Sequence, residues 1–507
     1  MSENDNLYAV LRGAFPSDTE ACCMELPDGS RLSYADIDTG SGRMAGMLRD
    51  LGVGRGDRVL VQVEKSPQAV LLYLGCLRAG AVFLPLNTAY KAREVEYFMG
   101  DATPRLAVCR PGDAAAFERL SAAGGGTRIE TLGDGGDGSL MSRYADAPSD
   151  DMLAECARDD LAAILYTSGT TGRSKGAMLS HGNLSSNARV LHQLWGFGDG
   201  DVLIHALPIF HVHGLFIALH CSLLNGTPMI FQPRFDADAV IDAMPRATVL
   251  MGVPTFYVRL LDNPRFDRDS TRNMRLFVAG SAPLLPETFA AFETRTGHRI
   301  LERYGMTEAG MITSNPLHGE RVPGTVGYLL PGVSGRVADG DGNELPRGEV
   351  GVLEITGPNV FKGYWQMPEK TAGEFRDDGY FITGDNASMA EDGRISIVGR
   401  ARDLVISGGY NVYPKEVELL IDVLPGVRES AVIGVPHPDF GEGVVAVVAT
   451  DDPVTLDETA VIGALSNDLA AFKRPKRVFF TRELPRNTMG KVQKNRLREQ
   501  YADAFSG

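Results

Sequence analysis

Apolar and polar positions alternate along residues 58–86 in two different rhythms. Arg58-Val59-Leu60-Val61-Gln62-Val63 reads as a strand, Ser66 to Gly80 as a helix closed by its glycine, and Ala81-Val82-Phe83-Leu84-Pro85-Leu86 as a second strand. Strand, helix and strand at this spacing predict a βαβ unit and hence an α/β domain. Residues 122–150, with Gly124-Gly125-Gly126, Gly133 to Gly138 and several acids, read as a surface excursion or subdomain link. Leu161 to Tyr166 reads as a strand that runs directly into a Thr/Ser/Gly loop.

The last ~105 residues carry a pattern of their own. Proline opens a helix at Val412-Tyr413-Pro414-Lys415-Glu416, and Val417, Leu420, Ile421 and Leu424 fall at i, i+3, i+4 and i+7 on one face. Short strands are expected at 430–435, 444–449 and 478–480, which makes a small α+β domain joined near Gly399-Arg400-Ala401-Arg402. The expected division is therefore a large α/β domain over 1–399 and a small α+β domain over 400–507. No repeat of fixed period is evident.

Composition narrows the function classes. The chain has 507 residues and a net charge of −15, which argues against a general nucleic-acid or anionic-membrane binder. Its start is acidic and polar, and the most apolar stretch, Gly214 to Leu224, is too short to span a bilayer, so a cytoplasmic protein is expected. Cys22, Cys23, Cys76, Cys109, Cys156 and Cys221 form no C-x-x-C pair. Glycine is in excess at 58 residues, roughly 11% against a usual ~7%, which suggests tight turns and backbone that approaches a ligand closely.

The densest motif is Thr167-Ser168-Gly169-Thr170-Thr171-Gly172-Arg173-Ser174-Lys175-Gly176. Glycine-freed N–H groups, hydroxyls and an ammonium after an apolar strand suit an oligophosphate. The Gly-Lys-Ser/Thr order of a Walker A loop is absent. A rival lies inside it: Gly172-Arg173-Ser174-Lys175-Gly176 fits G-x-S-x-G, the nucleophile elbow of α/β-hydrolases, with Asp385 and His437 as nominal partners of Ser174. That reading leaves the lysine and the preceding hydroxyls without a purpose. A silent nucleotide-binding scaffold is a third possibility.

Further motifs follow in order: Glu302-Arg303-Tyr304-Gly305-Met306-Thr307-Glu308, Tyr380-Phe381-Ile382-Thr383-Gly384-Asp385, Gly399-Arg400 with Ser407-Gly408-Gly409, and Pro485-Arg486-Asn487-Thr488-Met489-Gly490-Lys491. With the 167–176 loop, they resemble the signatures of the acyl-adenylate-forming (AMP-binding) superfamily. The resemblance implies a large multi-layered α/β domain, a small mobile α+β domain, and two half-reactions. A carboxylate attacks the ATP α-phosphate and releases pyrophosphate; a thiol, usually that of coenzyme A, then displaces AMP.

The same resemblance assigns the residues. Thr167 through Gly172 and Lys175 would hold the β,γ-phosphates, and Thr307 the α-phosphate. Glu308, with Thr167, would hold Mg²⁺, a hard cation that takes oxygen ligands. Gly280-Ser281-Ala282-Pro283, the Glu302–Gly305 stretch and Tyr304 in particular would frame the adenine. Asp385, assisted by Arg400, would accept the ribose hydroxyls. Lys491 is implied as the adenylation lysine and a target of reversible acetylation, with a lysine acetyltransferase and deacetylase as partners. Arg402 is the implied hinge, and Ser407, Gly408 and Gly409 the border of the thiol path. Lys491 lies in a run of ten Lys/Arg over 473–498 against the single acid Glu483. Such a run reads mainly as a solvated face, some of whose members attract coenzyme A phosphates.

His205, His211, His213 and His220 fall within sixteen residues, yet neither a Cys nor an acid cluster accompanies them as zinc would require. The segment Ala206–Phe216 resembles the superfamily's gate to its acyl pocket, with His211 lining it. Met251–Tyr257, Gly280–Leu284 and Asn411–Glu416 are similar to malonyl-CoA synthetases. That likeness implies malonate as the acid and a role in fatty acid metabolism. It places Arg234 of Pro233-Arg234-Phe235-Asp236 on the distal carboxylate and His211, Ser281 and Met306 around the acid. A bidentate guanidinium suits such a carboxylate. Ala309-Gly310-Met311-Ile312 replaces polar residues found in that group, so methylmalonate or another short acid is the alternative.

Overall fold

A computed structural model describes residues 4–124, 126–151, 153–167, 174–282, 284, 286–400, 405–412, 414–450, 456–485 and 492–506. The βαβ unit forms as its pattern predicts: strand Arg58–Gln62, helix Pro67–Ala79 and strand Val82–Pro85. Both helix ends have local causes. The Ser66 side chain accepts from the Ala69 N–H, and Gly80 closes the helix at φ 69°, where a side chain would be strained.

The unit belongs to a six-stranded sheet ordered Arg128–Thr131, Leu106–Cys109, Arg58–Gln62, Val82–Pro85, Leu161–Thr167, Lys175–Ser180. Its first strand corrects the reading of 122–150 as a link. Arg128–Thr131 pairs parallel with Leu106–Cys109, and helix Ser139–Asp146 follows. Glu130, 3% exposed, binds Arg128 at 3.1 Å and Arg143 at 2.7 Å, which lets a charged edge strand pack.

A nine-stranded sheet lies beside it. From one edge it runs Tyr328–Leu329, Gly310–Ser314, Leu301–Met306, Leu276–Ala279, Val249–Gly252, Leu203–His205, Met229–Phe231, Cys22–Glu25, Arg31–Ser33. The strands from Leu301–Met306 to Met229–Phe231 are mutually parallel, so their C-terminal ends open on one side. In such sheets ligands sit beyond those ends. A four-stranded antiparallel sheet, Ser334–Ala338, Val350–Thr356, Phe381–Met389 and Ile395–Arg400, completes the large domain.

The small domain holds a five-stranded sheet centred on Gly441–Thr450. Val444, Ala446 and Val448 join one apolar cluster and Val445, Val447 and Ala449 another, so alternation along one strand feeds two cores. Helix Pro414–Ile421 covers the first face with buried Val417 and Ile421, as its periodicity predicts, while Leu420 and Leu424 pack partly buried against it. No helix of the described residues is long and apolar enough to cross a membrane.

Candidate active site

Beyond the strand Leu301–Met306 the chain turns through Thr307 and Glu308, Ala309 N–H donating to the Met306 carbonyl at 3.2 Å, and returns as Gly310–Ser314. The turn is tight. A Cβ at Gly305 would lie 2.2 Å from the Gly310 carbonyl oxygen, a backbone atom with nowhere to go. Glu308 is buried; Tyr364 Oη donates to its Oε1 at 3.0 Å and Thr167 Oγ1 lies 3.4 Å from the same oxygen. Lys175 reaches toward this group from the strand Lys175–Ser180. Its Nζ sits 4.1 Å from the Tyr364 ring centre and 3.8 Å from Glu374 Oε1. Thr167, Lys175 and Glu308 are thus brought together, with Tyr364 among them. Tyr364 carries no motif signature; antiparallel contact of the 362–365 segment with Lys175–Ser180 puts it there.

On the other side of the hairpin Tyr304 Oη donates to Asp385 Oδ2 at 2.6 Å. Asp385 is 2% exposed, its own N–H donates to Thr383 Oγ1, and its backbone register partner in the adjacent strand is Arg400. The hydrolase triad is not assembled. In the contacts described, His437 Nδ1 accepts from the N–H groups of Asp439 and Phe440 and its ring packs on Phe440 and Phe505, while Asp385 takes the Tyr304 phenol, so His437 meets neither Asp385 nor Ser174.

A third cluster follows the strand Leu276–Ala279. Gly280 has Arg303 directly over it: a Cβ there would stand 2.4 Å from Cζ and Nη1 of the guanidinium. Arg303 is 2% exposed, and its Nε and Nη2 are buried without a partner among the described residues. Burial pulls its pKa down to about 9. Ser281 adopts φ +71°, a left-handed conformation seldom taken by a non-glycine residue, and its Oγ lies 3.4 Å from His213 Nδ1. Nε2 of His213 and Nε2 of His211 are also buried without a partner among the described residues. Burial holds both rings neutral, His211 at about 4 and His213 well below its ordinary value, with Arg303 adding to the latter. Buried polar groups are normally satisfied, so orphans on Arg303, His211 and His213 together mark a place for a polar ligand.

The histidine run divides into different environments. His205 meets Lys65 Nζ at 2.8 Å and the Gly214 carbonyl at 2.9 Å; His220 meets Tyr73 Oη at 2.8 Å. Met306 is partly exposed at the end of its strand, and Glu302 is buried, its pKa raised to about 7 by burial. Ala282 follows Ser281, half-buried. Arg234 is exposed, between the strand Met229–Phe231 and a helix capped by Asp236, next to Phe235, which stacks on Phe256 at 3.9 Å. Ala309, Met311 and Ile312 are buried in the large-domain core.

The small domain reaches the third cluster through its 407–410 loop. Ser407 is buried and Gly408 N–H donates to the Phe440 carbonyl at 2.8 Å. Tyr410 packs its ring 5.4 Å from His211, and Gly409 faces Val253. The expected phosphate-loop residues Ser168, Gly169, Thr170, Thr171 and Gly172, together with Pro283, Arg402, Lys491 and the side chain of Arg400, lie outside the described residues.

Thr167, Lys175 and Glu308, the buried Tyr304–Asp385 pair and the 407–410 loop over the third cluster are the residues that the motif resemblance assigns to activating acids as adenylates. The model of the family described as AMP-binding enzyme matches residues 12–365, and that of the AMP-binding enzyme C-terminal domain matches 416–491. The chain belongs to this family and is an adenylate-forming acyl-CoA ligase. It is 55% identical to ATP-bound MatB from Rhodopseudomonas palustris, with 99% of this chain and 100% of that one covered and a TM-score of 0.79. It is 32% identical to a malonate–CoA ligase of Arabidopsis thaliana, over 98% of this chain and 90% of that protein. A feruloyl-CoA synthase of an Amycolatopsis species is 36% identical over 93% of this chain and 94% of its own length.

Proposed function

We propose that the chain ligates malonate to coenzyme A through a malonyl-adenylate. The observation that carries this reading is Arg303, a buried guanidinium without a counter-ion among the described residues, beside His213 and Ser281. A dicarboxylate needs one carboxylate free to react and a cation for the other, and a desolvated guanidinium binds the second far more strongly than one in water. Exposed Arg234, nominated by resemblance, lacks that advantage, so the distal carboxylate is assigned to Arg303. The kinship with malonate–CoA ligases supports the acid, and the feruloyl-CoA synthase makes the substrate panel necessary.

In the first step the proximal carboxylate attacks the α-phosphorus and pyrophosphate leaves. Lys175 and the 167–172 loop take the β,γ-phosphates, Thr307 donates to the α-phosphate, and Lys491 neutralises charge as it develops. Gly280 to Ala282 and Tyr304 frame the adenine, while Asp385, helped by Arg400, accepts the ribose hydroxyls. Glu308 and Thr167 offer a carboxylate and a hydroxyl, oxygen donors that fit Mg²⁺ together with substrate phosphates. When bound, that ion offsets phosphate charge. In the second step the coenzyme A thiolate attacks the acyl carbonyl and AMP leaves, with the thiol arriving past Ser407–Tyr410. The small domain, taken as 400–507, turns about Arg402 between the steps.

Acid-dependent pyrophosphate–ATP exchange, followed by coenzyme A transfer, tests this with malonate, methylmalonate, acetate and ferulate. Malonate is expected to give the highest kcat/KM. A preference for a monocarboxylate overturns the malonate assignment, and no exchange with any acid overturns ligation. Methylmalonate is the second reading, suggested by the apolar side chains of the Ala309–Ile312 stretch that follows Glu308.

A further inference from the structure

Where the small domain rests on the large one, two carboxylates meet one buried ammonium. Lys473 is 1% exposed, and its Nζ donates to Glu94 Oε1 and to Glu416 Oε1, each at 2.8 Å. Glu94 lies on helix Ala92–Ala102 of the large domain; Glu416 lies on helix Pro414–Ile421 of the small one. The Tyr90 ring centre is 4.7 Å from the same ammonium. Burial pulls the pKa of Lys473 down, but Tyr90, Glu416 and Glu94 pull it up by more, so the ammonium stays charged. Lys473 therefore leaves the solvated face expected of the 473–498 run and is closed off from coenzyme A phosphates.

The residue before it has a different task. Phe472 packs on Tyr410 with ring centres 4.6 Å apart, and Tyr410 in turn packs on His211. One short turn, Ala471–Lys473, thus carries an ion pair into the large domain and an aromatic buttress behind the 407–410 loop. Other links between the domains are weaker in kind. Arg93–Asp468 at 3.1 Å and Arg259–Asp439 at 3.3 Å are solvent-exposed, and such pairs contribute little. Removing one partner of a buried pair, by contrast, strands a charge away from water.

We propose that Lys473 is a positioning residue for acyl transfer: pairing with Glu94, it seats Tyr410 against His211 and holds the Ser407–Tyr410 loop at the mouth of the acid pocket. The inference rests on the two-step ligation proposed above. It concerns only the second step, because no group of the phosphate or Tyr304–Asp385 clusters touches this ion pair in the contacts described.

Lys473→Met, Glu94→Gln and the exchanged pair Glu94→Lys/Lys473→Glu test it, using the best acid of the panel. Exchange of pyrophosphate into ATP is expected to stay within about twofold of the parent in each. The kcat of coenzyme A transfer from preformed acyl-adenylate is expected to fall about tenfold or more in the single variants, with KM for coenzyme A nearly unchanged. The exchanged pair keeps two carboxylates around one ammonium and should regain part of the loss. Glu94→Gln is isosteric and keeps the test decisive where Lys473→Met does not fold. Equal loss in both steps, no loss in transfer, or a rise in KM for coenzyme A alone overturns the assignment. A parent enzyme without acid-dependent exchange refutes the ligation reading itself, and this inference with it.

Discussion

Tyr304 and Asp385, 81 residues apart in the chain, are joined by a 2.6 Å hydrogen bond from the phenol to a carboxylate that is almost wholly buried. The bond fixes the orientation of the carboxylate that is proposed to accept the ribose hydroxyls. Tyr304→Phe is expected to raise KM for ATP about three- to tenfold while changing kcat little, since orientation and not chemistry is lost. It should also cost about 1.5–3 kcal/mol of stability, the usual worth of a hydrogen bond to a charged group. Steady-state kinetics and urea unfolding of the same preparation check both.

Arg303→Ala separates the two arginines. Loss of a desolvated cation should reduce kcat/KM for malonate about 100-fold or more, while a short monocarboxylate changes only a few-fold. Arg234→Ala, at an exposed position, should change malonate use by less than about threefold. The reverse ranking in pyrophosphate exchange would return the distal carboxylate to Arg234.

Two glycines in the site should fail differently. At Gly280 the obstructing atoms belong to the end of the Arg303 side chain, which can swing aside; at Gly305 they belong to backbone. Gly280→Ala is therefore expected to fold and lose malonate activity by about tenfold or more, through the displaced guanidinium. Gly305→Ala is expected to lose about 2–3 kcal/mol of stability. Thermal melts and exchange assays on both variants distinguish the outcomes.

Acid should weaken the fold in a defined window. Burial lowers His181 and His211 to about 4 and His220 to about 3, and holds His205 and His213 well below the ordinary value. Between about pH 4 and 6.5 the unfolded chain binds protons at these rings that the folded chain refuses, so stability rises with pH there and falls on acidification. Glu302, raised to about 7, and Glu94, raised by burial, work in the opposite sense but are two groups against these five. The urea midpoint should drop between pH 6.5 and 4.5, and His220→Gln should flatten that slope by about one proton.

Much of this was readable beforehand, for physical reasons. Helix Pro67–Ala79 announces both its caps, and Val417 and Ile421 announce the buried face of theirs. The motif residues Tyr304, Glu308 and Asp385 stand out because their chemistry is concentrated in short runs. Pairings across the fold were not readable. Tyr364 reaches Glu308 from 56 residues away and Glu94 reaches Lys473 from 379, and neither pair shares a local pattern. The strand Arg128–Thr131 was hidden because glycine on either side reads as loop and because its buried Glu130 looks exposed until Arg128 and Arg143 cover it. Arg303 sat in plain view within a motif, but only burial separates an unneutralised guanidinium from a surface one.

The central strand Gly441–Thr450 is clothed on both faces by residues of the small domain itself. That domain can therefore shift as a rigid piece without opening either core. What such a shift breaks at the rim are pairs such as Arg93–Asp468 and Arg259–Asp439, whose attraction salt screens over about 10 Å at 0.1 M. Ionic strength thus acts on how firmly the two domains hold each other and leaves the folding of each almost untouched.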